Sequence, residues 1–470
     1  MIGVEYPDTY AVEETFQLLK VPWEWYDSGK QYEAVIRLSK GQGDAAAAGT
    51  DLDISGEDPF RKVADTLDEG LPRNREPVVE QVIDRLRSRL VQRAVLPEIP
   101  PVPWGHPYIL ALTHDVDVLS VRERRWLSVL AAIYDCVSRG AIGDAARIFG
   151  AKLGIGKDPW NLIEEWMRFE EELGVRSTFF FLPFRDSPGS DAPPIRAGHY
   201  SPDPRTLRSL ADGGWEVGVH GIDNWKDAGR GAVERKAISD LGIDVAGTRV
   251  HWLLFGRESW AALDEAGYGY DTTFGYNEDI GFRAGTLQAF RPRGAGHLLE
   301  LPLHIQDLAL FGRSCWAPGA GGRWSRVPCL GLGEEGALAA CDGILAAARR
   351  YGGAVTLLWH HESLGPPRRW AAPYATLVQR AKADGAWIAR AADAVGWFRM
   401  RREVRIEVGR TGRTIRIRLE GLGAGQGIPP LRLRLHLGKE QVRSVNEEWV
   451  AGDGFADIRC GREDVQVELA

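Results

Sequence analysis

Cysteine is scarce in this chain. There are five in 470 residues (136, 315, 329, 341 and 460), an odd number with no CxxC pair. Neither a disulfide framework nor a structural zinc knuckle is expected from that usage, and a reducing compartment fits it. No run of about 18 apolar residues occurs, so no membrane span is expected. The first residues, MIGVEYPDTYAVEETF, hold neither a basic nor an apolar stretch, so no signal peptide is read and the expected location is the cytoplasm. A basic excess is missing too: 58 Lys and Arg stand against 65 Asp and Glu, a formal charge of −7. Binding a phosphate backbone needs a net basic face, which excludes a dominant nucleic-acid surface. No internal repeat of fixed period is visible. What remains is an ordinary globular composition, long enough for roughly two to four domains.

Three textures divide the chain. Residues 1–100 read as a small α/β unit, with a helix at 13–20, a strand at 34–38, a loop at 41–51 and a helix at 78–91. Five prolines in 97–107 mark a linker, since proline extends neither a helix nor a central strand. From 108 to 400, fully apolar strands alternate with helical stretches. The strands are expected at 108–117, 177–183, 215–221, 247–253, 298–305, 354–361 and 386–390. That alternation argues for a parallel α/β barrel. Residues 121–153 read as an amphipathic helical insertion, and Asp158-Pro159 as the start of the next helix. From 403 to 470 strict period-two alternation with glycine-rich turns predicts a separate antiparallel β unit.

The densest polar signal is THDVD at 113–117. Two acids two apart on a strand end point the same way, so one can bind a cation while the other acts as a base; the same acids could simply cap the next helix. Histidines close several other strands: His220, His251, His304, His360 and His361 account for five of the ten in the chain. Together with Asp115 and Asp117 they favour a metal or acid–base site over coincidence. His361 is expected to face away from His360, because strand neighbours alternate. Asp271 in YGYDTT is expected either to orient His360 or to cap a helix. Arg283 in IGFRAGT is a candidate contact for an anionic substrate group. His304 and Asp307 could line the cleft or serve the scaffold, and His199 and His297 read as loop residues. Trp225, Trp252, Trp316 and Trp324 are candidates for stacking on sugar faces, and the Gly/Arg/Trp-rich loop 311–328 is a candidate flap.

The order of these segments resembles the polysaccharide deacetylases of the NodB-homology, carbohydrate esterase 4 type, over roughly residues 108–400. The resemblance implies a distorted (β/α)7 barrel. It makes Asp115 the general base, Asp117 a metal ligand, Arg249 in GTRVHW the residue that orients the base, and His360 in LLWHH the general acid. The family's His-x3-His turn reads His220-Gly-Ile-Asp-Asn224 here, so His220 carries over and the second histidine is replaced. Asn224 would be a weaker ligand, with His251 or Asp223 as alternatives to complete the set. LTHDVD, the His-x3-Asn turn and GFRAGT together point to a divergent branch, in which Asn224 is a branch feature. The implied cofactor is a divalent metal, zinc in the first place, with cobalt, nickel, manganese or none as alternatives. The implied activity is removal of N-acyl groups, acetyl first, from a polysaccharide or its precursor. A metal-independent hydrolase of another C–N amide and a non-catalytic glycan-binding protein are the alternative readings. Neither the glycan nor the oligomeric state follows from the sequence.

Overall fold

The computed structural model describes residues 1–38, 51–54, 56–185, 200–318, 324–423, 427–438 and 440–470. Most of the loop expected at 41–51, His199 and the centre of the expected flap lie outside them. Among the described residues, no helix is long and apolar enough to cross a membrane.

The central body is a parallel sheet curled into a barrel. Its strands are β1 (Ile109–Val116), β2 (Thr178–Phe181), β3 (Glu216–Gly221), β4 (Gly247–Val250), β5 (Tyr270–Asp271), β6 (Leu299–Glu300 with Ile305–Gln306) and β7 (Ala354–Leu358). The run forming β6 joins both edges of the sheet. Leu299 N and Leu301 N donate to Gly269 O and Asp271 O on the β5 side (3.2 and 2.8 Å), and His304 N donates to Thr356 O of β7 (3.2 Å). One extended segment thus closes seven parallel strands into the (β/α) barrel expected. Two strands differ from the expectation. Trp387–Ala389 pairs with the start of β1 beside the barrel, and the two-residue β5 takes the ring position instead.

Alternation along each strand sorts side chains between two cores. On β1, Ile109 and Ala111 point inward and join one buried cluster, while Leu110, Leu112 and Val116 point outward and join another. On β2, Phe180 points inward, and Phe179 and Phe181 outward. The inner cluster continues below the barrel into Trp397 and Phe398 and then into the tail, where Ile417, Leu419, Leu433 and Val467 pack. The tail therefore stoppers the N-terminal end of the barrel. It forms two four-stranded sheets, and one of them takes its edge strand, Leu96–Glu98, from the proline-rich segment read as a linker. Pro97 is tolerated there because an edge strand need not donate on both sides.

The first unit is a parallel four-stranded sheet, with Ile2–Glu5 between Trp23–Trp25 and Ala34–Arg37. Its helix Thr9–Leu19 starts where Asp8 accepts from Ala11 N (3.1 Å). The same helix ends against Arg401, whose buried guanidinium donates to the otherwise orphaned carbonyls of Gln17 and Leu18 and to Ile99 O (2.8–2.9 Å). This unit shares the outer apolar cluster with the barrel, and its residues 69–73 line a cleft with Leu253 and Tyr276 at the barrel's C-terminal end. The helix expected to start at Asp158-Pro159 begins at Ile163. Asp158 instead accepts from Ser120 Oγ and from the Val121 and Trp160 amides (2.5, 3.1 and 3.0 Å), tying down the turn after β1.

Candidate active site

The inward-facing polar residues gather where the parallel strands end, the open end of a barrel of this kind. Asp115 lies on β1 and Asp117 one residue beyond it, on the same side. Asp115 is buried, whereas the Asp117 side chain is 20% exposed and faces the mouth.

Arg249 on β4 reaches across the interior to Asp115, with Nη1 3.1 Å from Oδ1. The contact is a single hydrogen bond rather than a bidentate pair. The remaining donors go to Thr113 Oγ1 (2.8 Å), Thr272 O (2.9 Å) and Thr272 Oγ1 (3.0 Å). The guanidinium also lies over the Phe180 ring, 4.9 Å from its centroid. Arg249 is fully buried and held on four sides, so it fixes the Asp115 carboxylate by one hydrogen bond and by its charge.

Asp117 sits among three imidazoles. Its Oδ1 is 3.1 Å from His220 Nε2 and 3.5 Å from His251 Nε2, and its Oδ2 is 3.8 Å from His360 Nε2. Burial alone would raise this carboxyl; His251, His220 and His360 overcome that and hold it well below the usual carboxylate range. One ligand atom each from Asp117, His220 and His251 falls within 4.8 Å of the others. His220 Nδ1–H donates to Arg249 O (2.9 Å), which leaves Nε2 as the nitrogen facing Asp117. His251 is swung into the mouth by a turn in which Trp252 and Leu253 both adopt left-handed backbone angles (φ 65° and 50°). Such strain costs ~1–3 kcal/mol per residue and concentrates at functional sites. Asn277 Nδ2 donates to Trp252 O (2.8 Å) and holds the turn.

His360, past β7, completes the circle. Its Nδ1–H donates to Asp307 Oδ1 (2.6 Å), its backbone N–H donates to Asp307 Oδ2 (2.9 Å), and Ser363 Oγ donates to the same oxygen. Burial would lower the pKa of this ring; Asp307 first and Asp117 second push it up to about 10. His360 therefore carries a proton on Nε2, directed at the mouth.

Alternation decides what happens to the other candidates. Asp271, expected either to orient His360 or to cap a helix, lies on the outer face of β5. It accepts from Thr273 Oγ1 there and pairs with Glu300. Burial pushes Asp271 up to about 6 and Glu300 higher, as expected of two carboxyls sharing a proton. Asp307, not Asp271, orients His360. His304 also faces outward, and both of its nitrogens are taken by backbone: Nε2–H donates to Thr286 O (3.0 Å) and Nδ1 accepts from Thr356 N (3.2 Å). Burial lowers its pKa to about 4, so it is a neutral scaffold residue rather than a substrate contact. Asn224 donates from Nδ2 to Thr248 Oγ1 (2.8 Å). Thr248 is the strand neighbour of Arg249 and points to the opposite face, so Asn224 is turned away from the Asp117 group. Gly221 permits this, because a Cβ there would lie 2.0 Å from Asn224 Oδ1. Asp223 pairs with Arg230 (2.9 Å) on the following helix.

Arg283 lies over Phe274 (4.4 Å) and donates to Gly275 O (2.8 Å), lining the separate cleft shared with residues 69–73. Trp252 lies at the mouth with its ring parallel to Trp316, 3° between planes and 6.3 Å between centroids. His361 faces away from the site, donating to Trp160 O (3.1 Å). Sequence reasoning left Asp307 undecided and passed over Thr113 and Thr272. Asp307 is the first residue of a short helix directly after β6, and that strand-end position was the available signal.

No protein-family model matches the sequence, and no curated protein matches it. Among solved structures, the chain is similar to a candidate polysaccharide deacetylase of Mycobacterium smegmatis at 21% identity and a TM-score of 0.41, over 66% of this chain and 98% of that one. It is similar to a candidate polysaccharide deacetylase of Bordetella bronchiseptica involved in O-antigen biosynthesis at 16% identity and a TM-score of 0.26, over 59% and 81% of the two chains. A third similar structure is a mutant of a CE4-family pseudoenzyme with restored activity, at 9% identity and a TM-score of 0.30, over 62% and 68%.

Proposed function

We propose that this protein hydrolyses N-acyl groups, acetyl first, from a polysaccharide or its precursor with the help of a divalent cation. The observation that carries this reading is the placement of Asp117, His220 and His251 between the Asp115–Arg249 pair and the His360–Asp307 pair. The donor set fits a metal. One carboxylate and two imidazole nitrogens converge, the His220 tautomer is fixed by Arg249 O, and the cluster opens to the mouth. Two imidazoles and a carboxylate suit zinc first, and cobalt, nickel or manganese by the same donors.

The chemistry such a cation supplies when bound is polarisation of an amide carbonyl and a lowered pKa of water. The chain's own residues supply the rest. Asp115 accepts the proton of the attacking water, and Arg249 keeps its carboxylate fixed in place. His360 donates its Nε2 proton to the departing nitrogen, and Asp307 maintains the ring orientation that allows it. Water adds across the C–N bond, so the products are a carboxylate and an amine.

Elemental mass spectrometry on wild type and Asp117→Ala, together with acetate release from N-acetylated sugar oligomers, tests this. The expected result is about one divalent ion per chain, lost in the variant, and acetate release abolished by Asp115→Asn. Oligomer hydrolysis that survives Asp115→Asn would remove the proposed base, and wild type without metal after soaking would return the metal-free hydrolase or the glycan binder.

A further inference from the structure

The helical insertion after β1 presents an apolar face that nothing among the described residues covers. Of the fifteen exposed large hydrophobic side chains among the described residues, nine lie within residues 126–155. The insertion is a hairpin of two helices, Trp126–Ser138 and Ile142–Lys152. Its inner faces, with Val129, Ala132 and Cys136 against Ala145, Ile148 and Ala151, make a small core of their own. The outer faces carry Leu127, Leu130 and Tyr134 on one helix and Ile142, Phe149 and Leu153 on and just past the other, spaced three, four or seven apart. The Trp126 and Phe149 rings lie 6.4 Å apart, so the two stripes join into one patch. A helix pair apolar on both sides needs a second partner.

Charge selects the partner. Residues 121–157 hold seven basic and three acidic side chains, a local +4 in a chain whose net charge is −7. Two of the three acids are engaged: Asp144 pairs with Arg369 (2.7 Å) and Asp135 with Arg139 (3.0 Å). Arg125, Arg147 and Lys157 are exposed around the patch, Arg147 within 3.6 Å of Asp144 and Lys157 paired with Glu165 at its edge. A second copy packed two-fold on this face would bring like charges together, whereas a surface of anionic lipid headgroups complements apolar centre and basic rim alike. We propose that the hairpin docks on an anionic lipid surface, its apolar stripe entering the headgroup region and its arginines meeting the phosphates.

The docking face is tied to the active-site mouth. Val118 directly follows Asp117, and Arg124 and Tyr134 line a cleft with Glu362 and Arg368, just beyond His360. A docked chain therefore holds its catalytic end at the membrane surface, which favours glycans carried there. That last consequence rests on the hydrolase reading; the docking does not.

Co-sedimentation of the full chain with phosphatidylglycerol-containing vesicles and with pure phosphatidylcholine vesicles tests the proposal. The expected result is binding to the anionic vesicles only, weakened by salt. Leu127→Glu combined with Leu130→Glu and Leu153→Glu should lower it by about tenfold or more, as should Arg125→Glu with Arg147→Glu, with the melting temperature unchanged because all five side chains are exposed. Wild type that stays in the supernatant with anionic vesicles at low salt overturns the proposal. So does a concentration-dependent dimer, seen by analytical ultracentrifugation and dissolved by the leucine substitutions, since it assigns the patch to a second copy. Should the leucine variant misfold, the lipid and salt dependence of wild type still decides. Vesicle binding needs no turnover, so its failure is separable from failure of the hydrolase reading.

Discussion

Replacing Asp307 by Asn keeps the shape of the group that orients His360 and removes its charge. In the native protein the buried His360 ring is held at about 10, against 6.5 for an ordinary histidine. That difference corresponds to ~4–5 kcal/mol in favour of the protonated ring. Burial opposes protonation, and Asp307 is the first of the groups that overcome it, ahead of Asp117. With the Asp307 charge gone, burial is left opposed chiefly by Asp117, and the pKa should fall by several units, to near or below the ordinary value. At neutral pH the acid would then be largely deprotonated, and loss of a general acid typically costs ~10²–10⁴-fold in rate. NMR titration of labelled histidine in wild type and Asp307→Asn reads the pKa directly, and a pH–rate profile on an N-acetylated oligomer reads its consequence. The basic limb should move from above pH ~9 to below pH ~7, with partial recovery of rate in acid. A purely structural role for Asp307 would lower activity at every pH without moving that limb. An unchanged His360 titration in Asp307→Asn would refute the reasoning. The same shift has a sign in stability: a raised histidine pKa contributes stability that is complete below about pH 6.5 and lost as pH rises through about 10. Asp307→Asn should remove that alkaline dependence.

Two further outcomes follow from side chains outside the site. Asn224→Ala should leave metal content per chain unchanged while costing ~1–3 kcal/mol, because its buried partner Thr248 Oγ1 loses a donor; elemental analysis and denaturant unfolding check both halves, and lost metal would restore Asn224 as a ligand. Glu98, buried between Arg87 (2.8 Å) and His436 (2.7 Å), is lowered to about 2: burial pushes it up, and the Arg87 charge with the hydrogen bonds from Arg87 and His436 prevails. A depressed carboxyl pKa contributes stability above pH ~4.5, lost as pH falls towards 2, here ~3 kcal/mol. The unfolding free energies of wild type and Glu98→Gln should converge over that window, and a gap independent of pH contradicts it.

The barrel was legible because strands of a parallel sheet are buried on both faces and read as apolar runs. THDVD, WEVGVH and LLWHH announce both the strand and the polar group that ends it. Less legible was the face on which a polar residue falls, since that needs the register to within one residue. Asp271 belongs to a two-residue strand and His304 to the bridge between two such pieces, too short to display a period. Asn224 follows a turn whose tightness depends on Gly221 packing against it. The pairing of Leu96–Glu98 with Arg432–His436 joins segments far apart in the chain, and no local pattern announces such a partner.

Polar residues on the two faces of the barrel wall meet different fates, and this explains why the site is compact. Outward ones are closed off in pairs: His114 with Glu170 (3.0 Å), Asp271 with Glu300, and His304 with two backbone groups. Each finds its partner on the outer face of the wall, as buried polar groups must. Inward ones near the strand ends remain directed at one opening. At the opposite end the barrel is filled by Trp397, Phe398 and the tail, so the mouth is the end that gives access to these groups. Residues 69–73 of the first unit flank that mouth on one side and the helical hairpin on another. A reaction confined to this end needs only the mouth side to be oriented. The hairpin, with its basic rim and its apolar stripe exposed among the described residues, is the element placed to do so.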